Sequence, residues 1–297
     1  MYWWWRGFFN TSKEGFLMKI GVIGSGTMGN GIAHSFASNG YDVLLHDIND
    51  QLLVKGLETI KKNLNRMLKK EIINDNQLSE TLNNISSTTN LNEMEDRDIV
   101  IEAATENLDI KSLIFTKLDS ITKKECILAS NTSSISINEL AKKTGRPERV
   151  IGMHFMNPVP IMKLVEIIKT EQTSSETIDL ITHTAINLKK EPIECLDSPG
   201  FVSNRILIPM INEAIYTLME GVATKESIDS IMKLGMSHPM GPLTLADLIG
   251  LDVCLSIMNV LKEGFNGDLK YNPCPLLIKM CDEGKLGRKT GEGFYKY

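Results

Sequence analysis

The run Gly24-Ser25-Gly26-Thr27-Met28-Gly29 leaves this chain few folds to choose from. It follows Lys19-Ile20-Gly21-Val22-Ile23, short and apolar enough for a buried strand, and opens a stretch that reads as a helix up to the stop signal Asn39-Gly40. Strand, glycine turn and helix in that order begin a dinucleotide-binding βαβ unit. Gly24 allows the tight turn, Gly26 lets the backbone approach a pyrophosphate, and Gly29 lets helix and sheet pack closely. The helix start, with Thr27 and Met28, offers free N–H groups and a partial positive charge to phosphates. A second strand runs from Tyr41 to His46 and ends at Asp47. A carboxylate there accepts hydrogen bonds from a ribose 2′-hydroxyl and repels a 2′-phosphate, which favours NAD while leaving NADP open. FAD uses the same fingerprint, but a compact helical second domain leaves little room for a flavin module.

The alternation continues downstream. Residues 51–73 carry apolar positions at helical spacing (Leu53, Leu57, Ile60, Leu64, Met67), and the opposite face is rich in lysine. Strands are expected at 98–103, 127–130 and 150–155, with a helix at about 110–120. The pattern is that of an α/β, Rossmann-like domain with a mostly parallel sheet and crossover helices. Near Ser198-Pro199-Gly200 the texture changes. Beyond it helical periodicity dominates, at about 201–220, 224–234, 242–260 and 273–283, and Pro209 should kink or loosen the first of these. We therefore divide the chain into an N-terminal extension (1–17), a Rossmann-like nucleotide domain (18–200) and a smaller all-helical domain (201–297). The extension holds all three tryptophans of the chain and lacks the layout of a signal peptide, so it is read as lying outside the fold, with Met18 as the natural first residue.

The bulk numbers exclude several classes. A formal net charge of −5 argues against a nucleic-acid binder. No apolar run is long enough for a transmembrane helix. Five cysteines, an odd number without a C-x-x-C pair, read as small buried hydrophobes in a reducing, cytoplasmic compartment rather than a disulfide framework. No histidine–cysteine cluster has metal-ligand spacing, so no metal is expected.

Two further residues stand out. His154 lies in the apolar run Val150-Ile151-Gly152-Met153-His154-Phe155, and Glu166 in Leu164-Val165-Glu166-Ile167-Ile168. A carboxylate in an apolar strand is costly unless paired. If the two strands fold back on each other about Pro160, His154 and Glu166 fall opposite one another. A carboxylate facing an imidazole fixes its tautomer and raises its basicity, which is what a general base needs.

Taken together, 23–31, 100–111, 129–135, 152–158, 162–168, 197–211, 238–252 and 286–297 resemble the 3-hydroxyacyl-CoA dehydrogenases, most closely the short-chain bacterial 3-hydroxybutyryl-CoA type. The similarity runs from about Met18 to Tyr297. It implies His154 as the catalytic base, Glu166 as the carboxylate that orients it, Ser133 as the serine that hydrogen-bonds the substrate C3 oxygen, and Asn204 as an asparagine that helps hold the acyl group. It also implies that Glu106, Lys111 and Asn157 lie near the nicotinamide end of the cofactor. Met156 departs from the phenylalanine common in the family, an apolar exchange. The implied substrate is a coenzyme A thioester, and the implied assembly a homodimer through the helical domain.

The basic helix face of Lys61, Lys62, Arg66, Lys69 and Lys70 then invites a reading of Arg66 and Lys70 as a clamp on coenzyme A phosphates. Helices containing Met210, Ile211, Ile215, Leu248, Leu251 and Met258 offer apolar surface for self-association. The implied reaction is reversible, NAD-dependent oxidation of 3-hydroxybutyryl-CoA to acetoacetyl-CoA. Two alternatives are a dehydrogenase of small 3-hydroxy acids lacking coenzyme A, and a non-catalytic NADH-binding relative.

Overall fold

The computed structural model describes residues 18–297; the extension proposed for 1–17 lies outside the described residues. Contacts divide the chain into two compact units, one of residues 18–132 and 137–194, the other of Ser133–Ser136 and Cys195–Tyr297.

The first unit is built on a sheet of eight strands, in the order β3-β2-β1-β4-β5-β6-β7-β8. The strands are β1 (Lys19–Ile23), β2 (Asp42–His46), β3 (Ile85–Thr88), β4 (Ile99–Glu102), β5 (Ile127–Ser130), β6 (Val150–Phe155), β7 (Leu164–Lys169) and β8 (Glu191–Leu196). The six from β3 across to β6 pair in parallel, whereas β6 and β7 pair antiparallel. The interior strands are fully buried on both faces, as a parallel sheet covered by helices requires. Helices α1 (Thr27–Ser38), α2 (Asp50–Lys69), α3 (Asp75–Asn83), α4 (Leu108–Ile121), α5 (Ile137–Ala141) and α6 (Ser175–Asn187) connect them. Ile20, Val22, Ile32, Phe36, Val43, Leu53, Ile60, Ile101, Met153 and Ile167 meet in one core. The order reverses between β1 and β4, so the crevice beyond their carboxyl ends is the switch point where doubly wound sheets receive ligands.

Several boundaries differ from the sequence reading. The helix expected over 51–73 ends early. α2 stops at Lys69, and Asn74 opens α3 through a reciprocal capping box with Gln77. β3 and β8 escape a search for apolar runs because they are edge strands: Ser86 and Ser87 are exposed, and β8 carries Pro192, which only an edge tolerates.

The second unit holds α7 (Ser203–Met219), α8 (Lys225–Gly235), α9 (Pro242–Ile249), α10 (Leu251–Gly264) and α11 (Pro275–Asp282) around its own core, which includes Ile208, Ile211, Ile215, Leu243, Leu251, Met258 and Leu277. The expected helix 242–260 is two helices, because Gly250 at φ +105° ends α9 and turns the chain by 96° into α10. α7 runs through Pro209 without ending. Asp229 caps the start of α9 by accepting from the Leu243 and Thr244 amides, and Asp247 accepts from the Phe294 and Tyr295 amides, which ties the last residues to α9. Among the described residues no single helix is long and apolar enough to cross a membrane.

α1 carries His34 on its buried face. Its Nδ1 has no hydrogen-bond partner among the described residues. Burial, helped by the nearby Lys190 ammonium, lowers its pKa from 6.5 to about 4. The imidazole is thus neutral in the folded chain down to about pH 4, while the unfolded chain takes up a proton below 6.5. Stability therefore falls as pH drops through this window, by about 2 kcal/mol between pH 7 and 5 from this group. Denaturant unfolding of His34→Gln at the two pH values should show a smaller pH dependence than the unsubstituted chain by about that amount.

Candidate active site

The site in the first unit grows out of the carboxyl edge of the sheet. Gly24 leaves β1 at φ +96°, and its amide donates to the His46 carbonyl at the end of β2, 2.8 Å away. Only a residue without a Cβ fits this turn, since a Cβ would lie 2.6 Å from the Ala103 carbonyl oxygen. Gly26 precedes α1 with open space where its Cβ would be, so nothing keeps a ligand from its backbone. Thr27 and Met28 begin the helix. A Cβ on Gly29 would fall 1.7 Å from the Gly24 carbonyl oxygen, so the loop and the first turn of α1 close on each other there.

Asp47 stands at the end of β2. Its Oδ2 accepts from both the Ser25 amide (2.7 Å) and the Ser25 hydroxyl (2.6 Å), and its Oδ1 from the Ile48 amide (2.8 Å). Ser25 Oγ reaches the Leu52 carbonyl as well. The carboxylate is held against the glycine loop, and the exposed side chain of Ile48 lies beside it. A cleft of about 290 Å³ opens between this loop, α1, α2 and the segment after β6; Gly26, Asn30, Lys55, Thr59, Asn63, Asn157 and Pro158 line it.

The antiparallel pair β6–β7 sets His154 directly opposite Glu166 in register. The imidazole Nδ1 and Glu166 Oε2 are 2.8 Å apart, and both side chains are buried. A carboxylate accepts, so Nδ1–H donates, which in the neutral imidazole puts the lone pair on Nε2. Asn157, three residues beyond His154, lines the cleft. Lys111 lies in the first turns of α4, its ammonium 2.7 Å from Glu102 Oε1 and 3.3 Å from Glu106 Oε2. Arg66 and Lys70 are exposed at the far end of α2. Ser133 and Asn204 fall together in the second unit, where the Asn204 side-chain amide donates to the Ser133 carbonyl over 3.1 Å.

Four residues of this architecture escape the sequence reading. Glu102 is fully buried at the end of β4, and Ser130 Oγ donates to it from β5. Asn131 Oδ1 accepts from the Phe155 amide and so ties the end of β5 to the residue after His154. Lys190, buried and with its pKa lowered by burial, donates to the carbonyls of Val159 and Met162 and pins the loop between β6 and β7. Glu102 carried the same signal that drew attention to Glu166, a carboxylate in an apolar strand. Lys190 and Asn131 sit at strand ends among polar neighbours, and nothing local distinguishes them.

Comparison with known proteins gives the family. Residues 19–198 match the model of the 3-hydroxyacyl-CoA dehydrogenase NAD binding domain, and residues 200–297 that of the 3-hydroxyacyl-CoA dehydrogenase C-terminal domain. The chain is 57% identical over 281 residues to a protein of Deinococcus radiodurans named "Probable 3-hydroxybutyryl-CoA dehydrogenase", covering 94% of this chain and 100% of that one. It is 52% identical to the 3-hydroxybutyryl-CoA dehydrogenase of Clostridioides difficile, covering 94% and 99%. Among solved structures it is similar to the (S)-3-hydroxybutyryl-CoA dehydrogenase of Ralstonia eutropha, with a TM-score of 0.91, 49% identity and coverage of 95% of this chain and 99% of that one. Both domain matches and the shared architecture lead to one conclusion: this chain belongs to the 3-hydroxyacyl-CoA dehydrogenase family.

Proposed function

We propose that the chain catalyses the reversible, NAD-dependent oxidation of 3-hydroxybutyryl-CoA to acetoacetyl-CoA, with His154 as acid and base. The observation that carries this reading is the His154–Glu166 pair, on strands of the same sheet whose glycine loop and Asp47 suit a dinucleotide. The names of the similar proteins support the choice of substrate.

The residues present fit NAD. Gly24, Gly26, Thr27, Met28 and Gly29 offer an approachable backbone and the start of α1 to the pyrophosphate. Asp47 has a lone pair left on Oδ1 for a ribose hydroxyl, and Ile48 gives an apolar face for the base. Glu106, Lys111 and Asn157 serve the nicotinamide end. When bound, the nicotinamide supplies the hydride acceptor for oxidation and, once reduced, the donor for the reverse reaction. His154 Nε2 takes the C3-hydroxyl proton as the carbonyl forms, and Glu166 stabilises the resulting imidazolium. In reduction the imidazolium returns that proton. Ser133 hydrogen-bonds the C3 oxygen. Asn204, which holds the Ser133 carbonyl, helps fix the acyl group, so that reacting atoms meet in one orientation.

Arg66 and Lys70 are the proposed coenzyme A contacts. Lys55, Thr59 and Asn63 line the cleft at helical spacing, and the same stripe of α2 continues through Arg66 to Lys70. That is about 22 Å of helix, long enough to follow an extended thioester cofactor. The nucleotide domain over 18–200 and the helical domain over 201–297 divide the work, the second also serving self-association. Of the side chains expected to supply its surface, Ile211, Ile215, Leu251 and Met258 are used up in the unit's own core, while Leu248 is exposed. Ile206, Val222, Ile231, Leu234 and Met236 are exposed as well and would form the homodimer contact. Five free cysteines suit work in the reducing cytoplasm.

His154→Ala should lower kcat for acetoacetyl-CoA reduction by NADH about 10²–10⁴-fold while NADH still binds; near-normal kcat would remove the histidine from the chemistry. Turnover of free acetoacetate as fast as the thioester would shift the reading to a coenzyme-A-independent dehydrogenase. Replacing Arg66 and Lys70 together by alanine should raise KM for acetoacetyl-CoA about tenfold with kcat little changed, and an unaltered KM would dismiss the clamp. Sedimentation of the full chain at micromolar concentration should give a dimer, which Leu234→Glu with Ile231→Glu converts to a monomer.

A further inference from the structure

At the switch point of the sheet five residues close a ring. Glu102 is the last residue of β4, in register with Ile23 of β1 on one side and Ser130 of β5 on the other. Its Oε1 accepts from the Lys111 ammonium at 2.7 Å and from the Ala104 amide at 2.6 Å; its Oε2 accepts from Ser130 Oγ at 2.6 Å. Ser130 Oγ in turn accepts from the Thr132 amide at 3.2 Å, Thr132 Oγ1 donates to Glu106 Oε1 at 2.5 Å, and Glu106 Oε2 lies 3.3 Å from the Lys111 ammonium, which completes the circuit.

The ring is unequally buried. Side-chain exposure is 0% for Glu102 and 1% for Lys111 but 39% for Glu106, so one carboxylate faces outward and its partner never meets solvent. One ammonium serves two carboxylates. Placing Glu102 in the interior is costly unless its hydrogen-bonding capacity is met, and here three donors meet it. What that arrangement fixes is the direction of Glu106 and the backbone of Thr132, on the rim of the crevice where a dinucleotide crosses a doubly wound sheet.

We infer that Glu102 is a positioning residue for the nicotinamide half of the cofactor: it touches no ligand itself and aims Glu106 and Thr132 through Lys111 and Ser130. The inference rests on the nucleotide reading given above. Without the Glu102 charge, Lys111 has Glu106 as its one carboxylate among the described residues, and the ammonium draws it inward and away from the rim. The adenosine half, served by the glycine loop and Asp47, has no member in the ring.

That asymmetry supplies the test, made on the full chain with NADH titrated by its fluorescence and ADP by competition. Glu102→Gln should raise the Kd for NADH about tenfold, the effect of one lost charge-assisted hydrogen bond, and leave that for ADP within about twofold. NADH and ADP weakened in parallel would reduce Glu102 to a structural role, and no change in either would remove it from cofactor binding; both overturn the inference. Should Glu102→Gln fail to give the cooperative thermal melt of the unsubstituted chain, Ser130→Ala opens the ring with all three charges in place and carries the same expectations. An unsubstituted chain that bound neither NADH nor ADP would instead dismiss the nucleotide reading itself, and this inference with it.

Discussion

Much of the candidate chemistry hangs on the register of the antiparallel pair β6–β7. His154 and Glu166 face each other because Gly152 pairs with Ile168, Met153 with Ile167 and Phe155 with Val165. A slip of one residue would turn every side chain of one strand to the other face and leave a buried carboxylate against apolar side chains. The loop that sets this register is held from outside by Lys190, whose ammonium binds the Val159 and Met162 carbonyls. It is held from inside by Gly31, where a Cβ would come within 2.9 Å of Val159. Asn131 secures the end of β6 that leads into this loop through the Phe155 amide. Three elements thus fix the pairing before any functional group enters.

The same sheet buries two carboxylates by different means. Glu166 is offset by the imidazole of His154, whose Nδ1 lies 2.8 Å from its Oε2. Glu102 is offset by the Lys111 ammonium and by two further donors. A buried ion pair is a poor source of net stability, since desolvation consumes most of the attraction. What the Glu102 pair provides is direction: three fixed hydrogen bonds define where neighbouring side chains point. One carboxylate is met by an imidazole, the other by an ammonium and two neutral donors.

How much of this was legible in the sequence follows from how local each signal is. The glycine run, Asp47 and the alternation of apolar strands with amphipathic helices are written in short windows, and each observed strand from β1 to β6 other than β3 has an apolar core a reader can find. β3 and β8 were missed because edge strands need only one buried face, or none, and their serines, glutamates and proline read as loop. The single helix expected over 242–260 failed at Gly250, whose positive φ is a backbone property that no periodicity reports. Of the six apolar side chains proposed for self-association, four lie in the core of their own unit and Leu248 is exposed. Periodicity identifies an apolar stripe but not which partner covers it, and Ile211, Ile215, Leu251 and Met258 turned out to face their own unit.

Glu102 marks the point where a local rule was available and stopped short. A carboxylate in an apolar strand demands a partner, and for Glu166 the hairpin about Pro160 names one within a dozen residues of chain. Glu102 draws its partners from β5 and from the second turn of α4, and Ser130 reaches it only because β4 and β5 run in parallel register. Crossover connections separate strands that end side by side, so a residue at one strand end finds its partners at the next strand end rather than nearby in the chain. That is the same geometry that gathers ligand-binding groups at the carboxyl edge of a parallel sheet. The arrangement that makes the site possible is therefore also what hides its supporting residues from a reading along the chain.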